Sequence, residues 1–308
     1  MTPLRVIVFP GGFNWPLFVA EETGLFADHG LAVAVTPTPN SIFQLTSLIR
    51  GDFDIAMTAI DNVIAYQEGQ GEAPLDRTPD AFAFMGADSG FLSLVVQPEI
   101  RGFADLAGRT LSVDAFTTGY AFVLYEMLRL NGLARGDYQL AGVGGMIQRY
   151  TALIEGKHAG TIVSSPYEML AEAAGLRCLA AARDVLPSYQ GNVGAARRSW
   201  AHANAATLTA YIKAYVAALD WLFEPANRAP AIAILCRHVA TMTPALAQQT
   251  AERLLHPVHG FARKAAIKLD GVRTVLALRS RHGIPPRQLD EPVRYYDPTW
   301  YERALAGS

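Results

Sequence analysis

The chain has 308 residues, of which 51% are hydrophobic and 18% charged, enough apolar material for a large core and a length that suits about two domains. A net charge of −2, with no basic run longer than a pair such as Arg197-Arg198, excludes a nucleic-acid or anionic-membrane footprint. No apolar run reaches the ~18 residues of a membrane span, and Cys178 and Cys236 are too few for a disulfide framework and read as small buried hydrophobes.

The opening segment MTPLRVIVFPGG lacks the apolar core of about 7 to 15 residues that a secretory signal carries. The expected location is therefore the cytoplasm, or the periplasm if an export signal has been trimmed. Arg5–Phe9 predicts a buried strand, Trp15–His29 a helix stopped by Gly30, and Leu31–Thr36 an alternating strand. A helix over Ser41–Arg50, a strand Phe53–Met57 and a helix over Ala59–Gly69 continue the βαβ rhythm of a parallel layer. Glu68–Asp80 is a loop, and strands follow at Ala81–Met85 and Phe91–Val96.

A second series repeats the first in outline. Strands are expected at Thr110–Val113, Tyr138–Ala141, Thr161–Val163 and Arg177–Ala180, with helices over Gly119–Asn131, Met146–Glu155 and Pro166–Ala174 between them. After one more strand at Asn192–Ala196 the pattern is helical only: Ser199–Phe223, Ala229–Cys236, Pro244–Leu255 and Leu269–Arg281. Thr243-Pro244 gives the cap-then-proline signal of a helix start. The expected fold is α/β: two doubly wound lobes joined by a two-crossing hinge, with a helical C-terminal wrap. Lobe 1 takes residues 1–88 with 190–308, lobe 2 residues 89–189, and the crossings fall near Met85–Leu92 and Leu186–Val193.

At four strand-to-helix junctions the sequence turns from apolar to small and polar: Thr38-Pro-Asn-Ser41, Met57-Thr-Ala-Ile-Asp-Asn62, Phe116-Thr-Thr-Gly-Tyr120 and Val163-Ser-Ser-Pro-Tyr167. Ser41 with Gln44 and Ser165 with Glu168 fit capping-box spacing, Pro166 takes the first helical position, and Thr58 with Asp61 is a looser match. In parallel α/β sheets such junctions lie at the carboxyl ends of the strands, where ligands bind. Free amides and the positive end of a helix dipole can hold an anion there without any Arg or Lys. Each junction alone is commonly a cap and nothing more; their pairing across two lobes, with Thr117, Thr118 and Gly119 in a compact turn, favours a binding cleft. Phe13, Trp15, Phe116, Tyr120, Tyr167 and Tyr189 place rings at the same places, which suits a planar or aromatic anion.

Other chemistries fit poorly. Pro10-Gly11-Gly12 lacks the spacing and lysine of a phosphate loop. His256 and His259 stand three apart with no obvious carboxylate ligand nearby, so no metal site is expected. Ser164, Ser165 and Tyr167 lack a nucleophile elbow. Asp61, Asp88 and Asp114 could act as acid or base if the cleft were catalytic, with capping or hinge roles weighing against it. No catalytic residue and no cofactor is assigned.

The runs Phe18-Val-Ala-Glu-Glu-Thr-Gly-Leu-Phe-Ala-Asp-His-Gly-Leu, Leu48-Ile-Arg-Gly-Asp-Phe-Asp-Ile-Ala and Asp105-Leu-Ala-Gly-Arg-Thr-Leu-Ser-Val-Asp resemble the alkanesulfonate, nitrate, taurine and thiamine-pyrimidine class of solute-binding proteins of ABC importers. The resemblance covers roughly residues 4–225. It implies a type II periplasmic-binding-protein fold that closes on a small ligand by hinge motion. Position by position, it implies ligand contacts at Asn14 and Trp15, Asn40 and Ser41, Thr58 and Asp61, Thr117, Thr118 and Gly119, Gly144 and Gly145, and Ser164 and Ser165. Phe13, Asp88, Phe116, Tyr120, Tyr167 and Tyr189 complete the candidate site. The expected function is capture of a small anionic solute, aromatic ones included, with importer membrane subunits as partners and no nucleic acid. The alternatives on the same fold are a cytoplasmic decarboxylase, lyase or isomerase acting on a small aromatic or carboxylate substrate, and a ligand-sensing module.

Overall fold

The structure, a computed structural model, describes residues 1–186, 188–240 and 242–306; Pro187, within the expected return crossing Leu186–Val193, lies outside the described residues. Among the described residues ten strands form two five-stranded sheets. The first holds β1 (Thr2–Val8), β2 (Leu31–Pro37), β3 (Ile55–Ala59), β4 (Ala81–Gly86) and β10 (Asn192–Arg197), in the order β2-β1-β3-β10-β4. The second holds β5 (Leu92–Val96), β6 (Thr110–Val113), β7 (Gln139–Gly142), β8 (Gly160–Ser164) and β9 (Arg177–Ala181), in the order β7-β6-β8-β5-β9. In each sheet the strand that follows a crossing is inserted antiparallel: β10 between β3 and β4, β5 between β8 and β9. The remaining pairs β1–β2, β1–β3, β6–β7 and β6–β8 are parallel. This is the two-lobed α/β architecture that the alternation of patterns predicts.

Local chemistry explains where the elements depart from expectation. The helix predicted over Trp15–His29 is two, Trp15–Glu22 and Leu25–Asp28. Gly24 between them sits at φ 81, a left-handed position that breaks the ladder. The long helix predicted from Ser199 divides into Arg198–Ala203 and Ala205–Phe223 at Asn204, whose φ −126 and ψ 38 are not helical. A helix at Thr299–Leu305 carries no prediction. Thr243 does cap the Pro244–Leu254 helix, accepting from Leu246 N at 3.2 Å. Pro166 stands one place before its helix rather than within it. Cys178 and Cys236 are half-buried, not fully so.

The C-terminal wrap does more than cover the first sheet. The Ala205–Phe223 helix packs on Trp15–Glu22, and Trp15, with no exposed surface, donates its indole N–H to Ala231 O at 2.9 Å. Beyond it, Tyr295 O and Asp297 N bond Ala83 at 2.8 and 3.1 Å, closing the edge of β4 against further strand pairing. The Leu269–His282 helix packs against both Ile60–Gln67 and Gly119–Leu130, and so touches helices of both sheets. Its C-terminal turn is held by Glu126, which accepts from Arg281 at 2.6 Å and from Arg129 at 2.8 and 3.0 Å. Among the described residues no helix is long and apolar enough to cross a membrane.

The crossings lie against each other. Asp88, buried, accepts from Gly90 N at 2.6 Å and from the side chain and backbone of Asn192. Burial pushes its carboxyl above the usual range, while the bonds from Asn192 and Gly90 work in the opposite direction. Gly191 N donates to Asp88 O at 2.9 Å.

A side chain at residue 191 has no room, since a Cβ there would lie 2.1 Å from Gly90 N. Gly191→Ala is expected to cost about 1 to 3 kcal/mol in denaturant unfolding, and an unchanged midpoint would show the crossings free to separate. The Glu126 carboxyl is held down to about 2, first by the Arg129 hydrogen bond and further by Arg281, against desolvation. Its stabilising contribution is thus present above the ordinary value of 4.5 and lost as pH falls through about 2. The stability gap between wild type and Glu126→Gln should shrink over that window, which pH-dependent denaturation measures.

Candidate functional site

Because every parallel strand of both sheets runs toward the space between them, the loops after β1, β2, β3, β6 and β7 and the end of β8 converge on one cavity of about 200 Å³. From the first lobe come Phe9, Pro10, Phe13, Asn40, Ser41, Ile42, Ala59 and Asn62, with Asn192 from the return crossing. From the second come Asp114, Ala115, Thr118, Gly119, Tyr120, Gly144, Gly145, Met146, Arg149 and Ser164. Phe9, Phe13, Ile42, Tyr120 and Met146 give the walls an apolar, partly aromatic surface. The polar groups sit among them.

Helix starts point at the cavity from both sides. Asn40 caps the Ser41–Arg50 helix by accepting from Phe43 N at 2.8 Å. Gln44 turns inward instead of closing a capping box, donating to Met57 O at 3.0 Å and Ile7 O at 3.3 Å. No side chain caps the Gly119–Leu130 helix, whose N-cap Thr118 donates to Asp114 Oδ1 at 2.6 Å, or the Met146–Ile154 helix, whose N-cap is Gly145. Their first amides carry the positive ends of two dipoles.

Arg149 is the cation of the site, and the sequence reading, which allowed an anion to be held without Arg or Lys, does not name it. It is 3% exposed. Nη1 donates to Ile162 O at 3.1 Å, Nη2 has a thioether, Met146 Sδ, at 3.9 Å, and Nε has no partner. Burial lowers its pKa, and the charge of Asp114 offsets part of that. A guanidinium with donors to spare in a closed, largely apolar space is a strong demand for an acceptor. The signal was present in the helix pattern: Arg149 shares a stripe with Ala152 and Leu153, the other buried residues of Met146–Ile154, and a charge on an apolar stripe is out of place unless it has a task.

Of the predicted site residues, Phe13, Asn40, Ser41, Thr118, Gly119, Tyr120, Gly144, Gly145 and Ser164 line the cavity. The others are engaged elsewhere. Asn14 donates to Phe9 O at 2.6 Å, and Trp15 belongs to the core. Thr58 is wholly buried and accepts from Asn62 at 3.0 Å. Asp88 is taken up by the contact between the crossings. Phe116 is about half exposed, and its carbonyl accepts from the Tyr125 hydroxyl at 2.9 Å. Ser165 bonds the Glu168 carboxylate rather than a helix amide. Tyr167 is buried against Tyr150, and Tyr189 borders a separate cavity.

Asp61 and Thr117 have the most definite other occupation. Arg279 meets the Asp61 carboxylate with two bonds of 2.6 Å, Nε to Oδ1 and Nη2 to Oδ2, and both side chains are 1% exposed. The same Nη2 donates to Thr117 O at 2.9 Å, and Nη1 to Gln70 at 3.3 Å. Thr117 N donates to Glu72 at 3.0 Å, as does its hydroxyl. Asp61, Gln70 and Glu72 lie on the first-lobe side and Thr117 on the second, so this network joins the lobes beside the cavity. Gly119 abuts it, since a Cβ there would meet Asp61 Cγ at 2.4 Å. Its smallness serves the approach of Asp61 as well as the cavity wall. A second link to the C-terminal wrap runs from Arg253 to Glu168, beyond β8, at 2.5 Å. Among the described residues no group of three or more His, Cys, Asp or Glu is arranged to hold a metal ion.

Comparison with known proteins places the chain by family and fold. The model of the NMT1-like family matches residues 2–236. Among solved structures, a protein of Bordetella bronchiseptica RB50 is 20% identical with TM-score 0.80, over 100% of this chain and 98% of that one. The alkanesulfonate-binding protein SsuA from Xanthomonas axonopodis pv. citri, bound to MOPS, is 16% identical with TM-score 0.76, over 96% and 98%. The periplasmic nitrate-binding protein NrtA from Synechocystis PCC 6803 is 13% identical with TM-score 0.83, over 100% and 89%. No curated protein matches.

Arg279→Leu strands the buried Asp61 carboxylate and is expected to destabilise the chain by about 3 to 5 kcal/mol. Adding Asp61→Asn should recover part of that loss, a coupling that chemical denaturation of the single and double variants measures. Additive costs would mean that the two side chains act independently.

Proposed function

Since the chain belongs to the NMT1-like family, we propose that it is a solute-binding protein which captures a small anion between its lobes and presents it to the membrane subunits of an ABC importer. Residues 1–88 with 190–308 form one lobe in this reading and 89–189 the other, turning about the Asp88–Asn192 contact. The observation that carries the reading is Arg149: a buried guanidinium with unused donors, in a cavity that both lobes build. The uncapped starts of the Gly119–Leu130 and Met146–Ile154 helices supply amides to the same anion. Asn40, Ser41, Asn62, Thr118, Ser164 and Asn192 give it hydroxyls and amides, and Phe9, Phe13 and Tyr120 accept an apolar or aromatic remainder. Sulfonates and nitrate, named for the structural relatives, are the first candidates, followed by aromatic carboxylates and pyrimidines. The kinship with periplasmic binding proteins supports a periplasmic site of action.

Closure in this reading buries the anion beside Arg149, where a charge-assisted bond is worth more than in water. Of the three aspartates weighed as acid or base, Asp114 alone lines the cavity, and its Oδ1 is taken by Thr118. The arrangement favours binding over turnover.

Thermal-shift screening against these anions should find stabilising ligands, and calorimetry should then show Arg149→Gln weakening the best of them by about 10- to 100-fold while the far-ultraviolet circular dichroism stays unchanged. Full affinity in that variant would remove Arg149 from the site. Consumption of the ligand with appearance of a product would overturn the binding-protein reading itself.

A further inference from the structure

A second cavity, of about 140 Å³, is bordered by both crossings and by the C-terminal wrap. Its wall carries Arg183, Arg253, Lys268 and His259, and no Asp or Glu. These cations come from different parts of the fold. Arg183 follows β9 of the second lobe, Arg253 ends the Pro244–Leu254 helix, and Lys268 precedes the Leu269–His282 helix.

Their charges are unequally met. Arg253 is held by the buried Glu168 at 2.5 Å. Arg183 has only a loose contact of 3.8 Å with its exposed neighbour Asp184, and among the described residues no carboxylate pairs with Lys268. His259 feels this directly: after desolvation, the charges of Arg183, His256 and Lys268 push its pKa down, with Asp184 working in the opposite direction. A concave wall with one sign of charge focuses a positive field. A planar guanidinium fork and an ammonium point charge are donors of the kind that suit a tetrahedral oxyanion, and Arg183 and Lys268 place one of each on this wall.

We propose that this cavity is a second anion site, separate from the cleft, that takes a tetrahedral oxyanion of the phosphate or sulfate type between Arg183 and Lys268. The site is placed to act on the hinge. Lys268 N donates to Gln190 Oε1 at 2.8 Å, and Gln190 in turn donates to Asp88 O and Asn192 O at 3.1 and 3.0 Å. An anion bridging Arg183 and Lys268 therefore ties the second lobe to the segment that braces both crossings. Phe91, which borders the same cavity, holds a left-handed backbone at φ 50 where the chain enters β5, so the wall includes a strained point of the hinge. The inference does not depend on what the cleft binds.

Inorganic phosphate is the probe, titrated into the full chain at low ionic strength by calorimetry and phosphorus-31 line broadening. Arg149→Gln, which disables the cleft, should still bind phosphate. Adding Arg183→Ser and Lys268→Ser to it should weaken that binding by about tenfold or more; if this combined variant fails to fold, Lys268→Gln in the Arg149→Gln background serves instead. Loss of phosphate binding in Arg149→Gln alone would assign the phosphate to the cleft and overturn the proposal. So would equal binding in the combined variant, or no phosphate binding by any form of the protein. A failed cleft reading shows itself differently, as anion affinities in the cleft screen that Arg149→Gln leaves unchanged.

Discussion

Much of this molecule hangs on one guanidinium. Arg279 is removed from water almost completely, and the desolvation of such a charge is tolerable only when its donors are met. Asp61 meets two of them in parallel and Gln70 a third, while Thr117 O shares the Nη2 nitrogen; the ring of Phe122 lies 5.0 Å beneath. Each partner comes from a different piece of chain. The start of the Ile60–Gln67 helix, the loop after it, the turn before the Gly119–Leu130 helix and the C-terminal wrap are thereby held in one register. Without the pair, the Thr117 turn would keep its bonds to Glu72 but lose its anchor to the wrap, and the cavity wall beside Gly119 would be free to shift.

The division of labour among acidic and basic groups follows from that constraint. Asp61 and Arg279 largely offset each other, although Tyr120 in the cavity wall still feels the Asp61 charge. Arg149 and Asp114 remain as the charges that the cavity itself presents. The helix Leu269–His282, gripping Ile60–Gln67 on one side and Gly119–Leu130 on the other, also limits how the lobes separate. In the proposed reading, hinge motion about Asp88 and Asn192 requires this helix to travel with one lobe and slide against the other, which would tie opening to the bonds of Arg279 and Glu126.

The fold was readable because it is periodic. Alternating strands and striped helices, each ended by proline, glycine or a small polar cap, carry the βαβ rhythm in local sequence, and the crossings show as the points where that rhythm restarts. Half of the cleft was readable for the same reason: Asn40, Ser41, Thr118 and Gly119 lie at strand ends, and strand ends converge. What local pattern cannot carry is partnership at a distance. Asp61 looks like any acid in a first helical turn until Arg279, 218 residues later, arrives beside it. Trp15 looks like a cleft ring, but its indole finds Ala231 across 216 residues and goes to the core. Arg149 is hard to read for a different reason. Amides at helix starts suffice in principle for an anion, so the junctions alone do not call for a basic residue one turn further in; its place on a buried stripe is what marks it.

The antiparallel strand inserted beside the edge of the first sheet has a consequence for how the chain comes into being. β10 fills the space between β3 and β4, yet it is encoded more than one hundred residues after β4, whereas β5 through β9 are contiguous. On a ribosome the N-terminal strands therefore emerge with a vacancy between β3 and β4, and the second sheet has all its members before the first does. Pairings of such sequence separation are slow to form. The half that is made first is thus the half that is finished last, and the exposed inner edges of β3 and β4 are the surfaces a nascent chain has to keep from other partners in the meantime.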